Sequence, residues 1–206
     1  MSQQGELGSE HARVLALVPS TWRRTLEKIL VETPARIELV EQRRSARGTC
    51  HCASDDLLFV IRMNKENNAF RFGLTLLHEL AHVHAQVRYG KSIQPHGWEW
   101  KKCYADLIYQ YWFLFPTGMQ RHVVQLAESP LYSTDAHVGL SRELALLENE
   151  PHALFASDLK LDELFCVHGN TQVYRCGRKL RKRIQCFGED GKEYTVSLNA
   201  RVKRIA

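Results

Sequence analysis

The stretch LTLLHELAHVHAQVRY, residues 74–89, decides how this chain folds. Its apolar side chains recur at helical spacing and fall on two stripes rather than one. The first stripe contains Leu74, Leu77, Ala81 and Ala85, and the second contains Leu76, Leu80, Val83 and Val87. A helix that is apolar on two sides is buried on two sides. The stretch therefore predicts the central helix of a domain, which Asn67 or Asn68 can cap and which ends before Gly90.

Two histidines on this helix stand at metal-ligand spacing. His78 and His82 are four residues apart, so both imidazoles lie on one helix face and can reach the same ion. Glu79 lies about 100° around the helix from His78. From that position its carboxylate can contact a water on the ion without replacing a ligand. The pattern predicts a catalytic metal site.

A catalytic zinc site takes three protein ligands and keeps a fourth position open, so one more ligand is needed. His84 is nearest but lies about 200° around the helix from His82, and it points away. His96 follows a loop, and Gly97 beside it allows the backbone to approach closely. We therefore predict Zn²⁺ held by His78, His82 and His96. The other histidines have no spacing partner and are predicted to be surface or core residues: His11, His51, His122, His137, His152 and His168.

An HExxH pattern can also arise by chance, usually on an exposed helix. Here it lies in an apolar helix, where an unpaired glutamate and two bare histidines would cost several kcal/mol. A bound metal removes that cost, so the pattern favours the metal site.

Shorter patterns surround the central helix. The sequence predicts helices, then three short strands in an antiparallel sheet with a turn at residues 54–56, then a third long helix. The predicted bounds are His11–Val18 and Thr21–Val31 for the first helices, Arg36–Glu41, Gly48–Cys52 and Leu57–Arg62 for the strands, and His96–Phe115 for the third helix. Residues 1–10 are polar and are predicted to be disordered.

The sequence pattern changes from helical to strand-like after residue 157. Residues 117–157 look weakly helical, with Arg142–Glu150 as the best segment. Short strand-like runs follow, and Gly169-Asn170 and Asp190-Gly191 are hairpin signals between them. The runs are Leu164–Val167, Gln172–Arg175, Arg183–Phe187, Glu193–Val196 and Val202–Ile205. Five short strands in this space predict a small curled barrel.

Charge is uneven along the chain, whose net charge is +5. From Arg175 onward there are ten Lys or Arg against three Asp or Glu. The densest run contains the candidate nucleic-acid contacts Arg178, Lys179, Arg181, Lys182 and Arg183. A solvated hairpin would look the same, but a basic small barrel favours nucleic acid. Three aromatics of this region could stack on bases or belong to its core: Tyr174, Phe187 and Tyr194.

The segments LHELAH at residues 77–82 and HGWEWK at residues 96–101 resemble the SprT/Spartan-like metalloproteases. The resemblance extends over roughly residues 20–115. It implies that His78, His82 and His96 bind zinc, that Glu79 is the catalytic glutamate, and that Trp100 packs beneath the third ligand. It also implies DNA-associated proteolysis, including removal of proteins crosslinked to DNA. The carboxy-terminal β module departs from the four-cysteine zinc ribbon that many bacterial relatives carry.

These observations predict an α+β chain. A zincin-like domain at residues 11–116 packs a small antiparallel sheet on the HExxH helix. A helical connecting segment at 117–157 leads to a basic SH3-like β module at 158–206. No run reaches the roughly 18 apolar residues that cross a bilayer, and the amino terminus lacks a secretory pattern, so the expected compartment is the cytoplasm. The six cysteines are expected to be free thiols there.

The predicted function is zinc-dependent peptide hydrolysis, in which Glu79 acts as general base. The strand at Leu57–Arg62 is expected to offer an edge on which a protein substrate adds as an extended strand. Two alternatives remain open. In one, the chain is a non-enzymatic nucleic-acid-binding protein with a structural zinc. In the other, it is a zinc hydrolase of small amides.

Overall fold

A computed structural model describes residues 3–41, 43, 46–52, 58–131, 137–148 and 153–205. The chain divides into two compact units, Met1–Thr134 and Asp135–Ala206, which we call the first and second units. The predicted turn at residues 54–56, the residue Leu57 and the end of the predicted helix at 149–150 lie outside the described residues. None of the helices in the described part of the chain is both long enough and apolar enough to cross a membrane.

The first unit contains five helices and three strands among its described residues. In chain order they are α1 Gln3–Leu17, α2 Arg23–Glu32, β1 Ala35–Val40, β2 Gly48–Cys52, β3 Phe59–Asn64, α3 Ala69–Tyr89, α4 Trp98–Tyr111 and α5 Thr117–Glu128. Short 3₁₀ turns precede α2 and follow α4. Residues 3–10, predicted to be disordered, are instead the start of α1. Val14 is buried in α1, and Val18 is buried just after it. A helix that is anchored in this way can extend toward the amino terminus by adding backbone hydrogen bonds, so residues 3–10 need no apolar stripe of their own.

The helix α3 is the centre of the first unit, as predicted. Eight of its apolar residues have no exposed surface: Phe72, Leu74, Leu76, Leu77, Leu80, Ala81, Val83 and Ala85. The side chain of Asn68 caps its start by accepting from the Arg71 amide at 3.0 Å, and Gly90 follows its end with a φ of 92°. Near the start, a Cβ at Gly73 would lie 2.5 Å from the Trp22 ring. Glycine therefore lets α3 approach the buried indole.

The sheet of the first unit is mixed, so the predicted antiparallel sheet is wrong in one pairing. Its order is β1-β3-β2. β1 runs parallel to β3, whereas β2 runs antiparallel to it. β3 is thus the central strand, and β2 is an edge strand. The predicted edge at Leu57–Arg62 is therefore also wrong. The alternation of side chains indicates strands but does not determine which strands become neighbours.

The second unit contains α6 Val138–Leu147 and a six-stranded antiparallel sheet. Its strands are β4 Leu154–Phe155, β5 Leu164–Val167, β6 Val173–Lys179, β7 Arg183–Gly188, β8 Glu193–Ser197 and β9 Arg201–Arg204. The order is β4-β9-β5-β6-β7-β8. Within the described residues β4 and β8 each pair on one side only, so the predicted SH3-like barrel is not closed. β4 is too short, at two residues, to extend the sheet further.

The predicted connecting segment at 117–157 is divided between the two units. The helix α5 lies in the first unit, where Met119, Val123 and Leu126 are buried. The helix α6 lies in the second unit, where Arg142 contacts Asp158 and lies 5.1 Å from the Phe155 ring centroid. The helix α5 is amphipathic and buries its apolar face against α4 in the first unit, whereas α6 has Leu140 and Leu144 buried. Weak helical propensity alone gave no indication of this division.

Candidate metal centre

Two elements bring the three predicted histidine ligands together. His78 and His82 project from one face of α3, and His96 lies in the loop before α4. The Nε2 atoms of His78 and His82 are 3.3 Å apart, and those of His78 and His96 are 3.1 Å apart. Among the described residues, these three are the group of histidines, cysteines and carboxylates whose ligand atoms converge, all within 4.8 Å of one another.

The spacing of these nitrogens fits a tetrahedral ion. Zinc–nitrogen bonds of about 2.0–2.1 Å place two nitrogens of a tetrahedral site about 3.3 Å apart. The two short distances in the cluster are close to that value. Three imidazoles also leave one tetrahedral position open, as a catalytic site requires. The donor set and its geometry therefore suit zinc.

Burial keeps the ligand imidazoles neutral. Burial, together with the neighbouring His82 and His96, lowers the pKa of His78 to about 3. Burial also lowers the pKa of His82 to about 4, with His96 adding to the effect. The pKa of His96 is lowered by burial as well. Because a metal binds neutral imidazole, protons do not compete for these ligands at neutral pH.

Trp100 forms a platform beneath the three imidazoles. Its ring centroid lies 4.7 Å from those of His78 and His96 and 5.5 Å from that of His82. Its indole Nε1 donates to the His78 carbonyl at 3.3 Å. Tyr104, one turn further along α4, stacks on the Trp100 indole with a distance of 4.9 Å between the ring centroids. The packing predicted for Trp100 beneath the third ligand thus extends to all three.

The loop that carries His96 is held in an uncommon conformation. His96 has a φ of 58°, in the left-handed region that non-glycine residues rarely adopt. The next amide, of Gly97, donates to the Gln94 carbonyl at 2.9 Å. Such a conformation costs roughly 1–3 kcal/mol and persists where the surroundings enforce it, often at functional sites. It turns the imidazole toward α3.

Glu79 follows His78 directly on α3 and is buried. The residue is 5% exposed, and burial raises its pKa to about 7, although the Arg43 charge opposes the shift. Within the described part of the chain, no hydrogen bond joins this carboxylate to another residue. Burial of a carboxylate without a hydrogen-bond partner costs free energy, so the Glu79 carboxylate is expected to hydrogen-bond to a water or to the substrate.

Gly48 of β2 makes room for this carboxylate. A Cβ at Gly48 would lie 2.6 Å from Oε1 of Glu79. The edge strand β2 therefore passes directly beside the site. The sequence did not reveal this contact, because the two residues are far apart in the chain and a lone glycine in a strand has several explanations.

Arg43 is the charged residue beside Glu79 that the sequence did not identify. Its Nε donates to Asn64 Oδ1 at 3.0 Å, and its two other nitrogens donate to Thr49 Oγ1 at 3.2 Å and to the Arg62 carbonyl at 3.1 Å. The guanidinium is thus fixed at the end of the sheet. No spacing rule links Arg43 to the HExxH segment.

His84 is directed away from the cluster, as its helical angle predicts. Its Nε2 lies 3.1 Å from the Thr33 hydroxyl, which itself donates to the Ile29 carbonyl at 2.7 Å. Because the hydroxyl proton is already used, His84 must be the donor in this pair. Its role is structural. His152 lies outside the described residues.

The predicted basic cluster lies on the hairpin between β6 and β7 of the second unit. Arg178 and Lys179 end β6, Arg181 and Lys182 form the turn, and Arg183 begins β7, and all five are exposed. Lys179 donates to the Ser157 carbonyl at 2.7 Å and Arg183 to Thr195 Oγ1 at 3.2 Å. Of the three aromatics considered for stacking, Tyr174 is only 8% exposed and belongs to the core.

Part of the first unit is similar to known proteins. Residues 21–120 match the model of the SprT-like family. Protein SprT of Pseudomonas fluorescens (strain SBW25) is 37% identical over 54 residues, which cover 26% of this chain and 33% of that protein. The chain thus matches about a third of the length of this curated relative. No solved structure gives a significant match. The resemblance inferred from the two histidine motifs is confirmed.

Proposed function

We propose that this chain, of which residues 21–120 match the model of the SprT-like family, is a zinc-dependent endopeptidase with His78, His82 and His96 as ligands. One observation carries the proposal: Glu79, which follows His78 directly on α3, is buried and has no hydrogen-bond partner among the described residues, and His78 belongs to a cluster of three converging imidazoles. A metal that only braces a fold needs no base next to its ligands. A base next to an open coordination position is what metal-assisted hydrolysis needs.

The chain's own residues divide the work of hydrolysis. A bound zinc ion supplies Lewis acidity, which polarises a carbonyl and lowers the pKa of a water. Glu79 accepts the proton of the attacking water and delivers it to the leaving amine. Burial strengthens Glu79 as a base, since it raises the pKa of the carboxyl. Trp100 fixes the imidazole orientations, and the His96 loop supplies the ligand from outside α3.

The edge strand β2 is the proposed substrate-binding element. Its one partner among the described residues is β3, which leaves its other edge to accept an extended peptide. Gly48 places this edge next to Glu79. Main-chain hydrogen bonds along β2 would give affinity with little dependence on sequence. This favours a protein substrate over the small amide that the sequence left open.

Substitution of Glu79 tests the proposal. Glu79→Gln should keep its zinc and lose hydrolysis of an unfolded protein, because the amide cannot accept the proton. Glu128→Gln is the matched control, since Glu128 is exposed at the end of α5. Zinc content and cleavage are measured on the same samples. Cleavage by Glu79→Gln at the wild-type rate would refute the role of Glu79 as general base. A zinc-loaded wild type that cleaves neither proteins nor short peptides would favour a structural zinc.

We further propose that the basic hairpin binds nucleic acid and brings the peptidase to DNA-associated proteins. Arg178, Arg181 and Lys182 are exposed and form no hydrogen bond or ion pair with another described residue, so their charges are available to phosphates. The double substitution Arg181→Ala/Lys182→Ala should weaken DNA binding and flatten its salt dependence. Lys101→Ala/Lys102→Ala, an exposed basic pair on α4, is the control. Equal loss in both variants would contradict a specific role for the hairpin.

A further inference from the structure

Two aromatic rings stand where α3 ends and α4 begins. Tyr89 is the last residue of α3, and Trp98 is the first residue of α4. Their ring centroids are 5.2 Å apart in an edge-to-face arrangement of 64°. The Arg88 guanidinium lies 5.4 Å from the centroid of the Tyr89 ring. Tyr89 is therefore covered from two sides, and the indole of Trp98 is the ring that the pair presents to solvent.

Trp98 is the most exposed large aromatic among the described residues, at 64%. A single exposed apolar side chain needs no explanation by itself. Trp98 differs because it is held by Tyr89 and starts a helix whose third residue is the buried Trp100. A rigid indole with an open face binds an apolar partner at little cost in side-chain entropy.

The position of the pair relative to the metal centre follows from helix geometry. Tyr89 is seven residues beyond His82 on α3, which returns it to within about 20° of the same helix face. The rise over seven residues is about 10 Å. Trp98 is two residues beyond His96, the third imidazole of the cluster. The rings therefore lie on the face of α3 that bears the metal cluster, roughly 10 Å along the helix from His82.

We infer that Trp98, backed by Tyr89, is a specificity subsite that binds a large apolar or aromatic side chain of the substrate about three residues from the scissile bond. The inference rests on the proposed peptidase function. A bound peptide that extends along α3 advances about 3.3 Å per residue, so roughly 10 Å corresponds to three residues. Aromatic pairs add affinity beyond the apolar area that they bury. Main-chain binding along β2 tolerates many sequences, and this subsite supplies selection among them.

The competing explanation is that the pair only fastens the loop that carries His96. Loss of Trp98 would then lower zinc content and slow all substrates equally. A subsite would instead affect one substrate position and leave the metal in place. Zinc content and positional preference therefore separate the two.

The experiment uses the full chain and a set of labelled peptides. Each peptide carries one phenylalanine at a different position in a host sequence of small residues, and mass spectrometry locates the cleaved bond. The variants are Trp98→Ala and Trp98→Phe. The matched control is Trp112→Ala, because Trp112 is also exposed, at 38%, but lies in the 3₁₀ turn after α4.

The wild type is expected to favour phenylalanine about three residues from the cleaved bond by roughly tenfold in kcat/KM over alanine. Trp98→Ala should lose this preference with its zinc retained, whereas Trp98→Phe and Trp112→Ala should keep it. An unchanged preference in Trp98→Ala would overturn the inference, and so would a loss of zinc with a uniform loss of rate.

Binding of the same peptides by the Glu79→Gln variant keeps the inference testable without turnover. Fluorescence anisotropy should show tighter binding of phenylalanine-bearing peptides, and adding Trp98→Ala should abolish the difference. If the wild type cleaves no peptide and the difference in binding is still found, the proposed function fails and the binding site stands. If cleavage occurs and no difference is found in either assay, the subsite fails and the proposed function stands.

Discussion

Replacing Gly48 by alanine tests whether β2 sets the position of the Glu79 carboxylate. The added Cβ would lie 2.6 Å from Oε1 of Glu79 and 2.8 Å from its Cγ. These separations are roughly 1 Å shorter than the ~3.5–4.0 Å of a favourable carbon contact. The end of a glutamate side chain moves more easily than a paired strand. The carboxylate should therefore shift by roughly 1 Å.

A shift of that size should reduce kcat strongly. Misplacement of a reacting group by about 1 Å can cost ~100-fold in rate, which corresponds to ~2.7 kcal/mol of activation free energy. Bound zinc should be unchanged, because the three atoms nearest to the added Cβ all belong to Glu79 and none to an imidazole. The assay measures kcat on an unfolded protein substrate, zinc content by atomic absorption and the melting temperature of each sample.

A second substitution isolates the cause. Glu79→Ala removes the Cγ and carboxylate atoms that the added Cβ would meet, so Gly48→Ala should lower the melting temperature less in that background than in the wild type. Three results would refute the reasoning: wild-type kcat in Gly48→Ala, additive falls in melting temperature in the double variant, or a loss of zinc that accounts for the fall in rate.

Two more predictions concern the imidazoles. His96→Ala should lose most of its bound zinc. His84→Ala should keep it, because this imidazole of α3 is hydrogen-bonded to Thr33 instead of facing the metal cluster. Equal zinc in both variants would show that His96 is not a ligand. In chelator-treated protein the melting temperature should fall as pH drops from about 6.5 to about 4, because the unfolded chain takes up protons at the ordinary histidine pKa. The folded chain resists protonation there, since burial lowers the pKa of His78 to about 3 and of His82 to about 4. The variant His78→Gln/His82→Gln should show a flatter pH dependence, and an identical slope would contradict the assignment.

Local patterns in the sequence predicted those parts of the molecule that depend on local physics. The central helix was predicted closely because its periodicity, its asparagine cap and its terminal glycine all act within a few residues. The strand Gly48–Cys52 was predicted to the residue. The two imidazoles of α3 follow from helical spacing alone.

Long-range pairing explains what the sequence did not reveal. β1 and β3 are parallel neighbours, although β2 lies between them in the chain, and the alternation of side chains specifies neither this order nor this direction. Closure of the second sheet depends on whether its end strands meet, which no local pattern describes. Gly48 and Arg43 reach Glu79 only through the fold, so they could be found only from the structure.

The separation of the third imidazole from the other two along the chain has a consequence for ion affinity. Residues 90–95, which link the end of α3 to His96, act as a tether whose ends an ion would hold together, so their chain entropy enters the binding constant. That contribution grows slowly, since doubling a tether costs about 0.6 kcal/mol, or roughly threefold in affinity. Relatives with longer insertions between the two histidine motifs should therefore retain their metal with only slightly weaker binding.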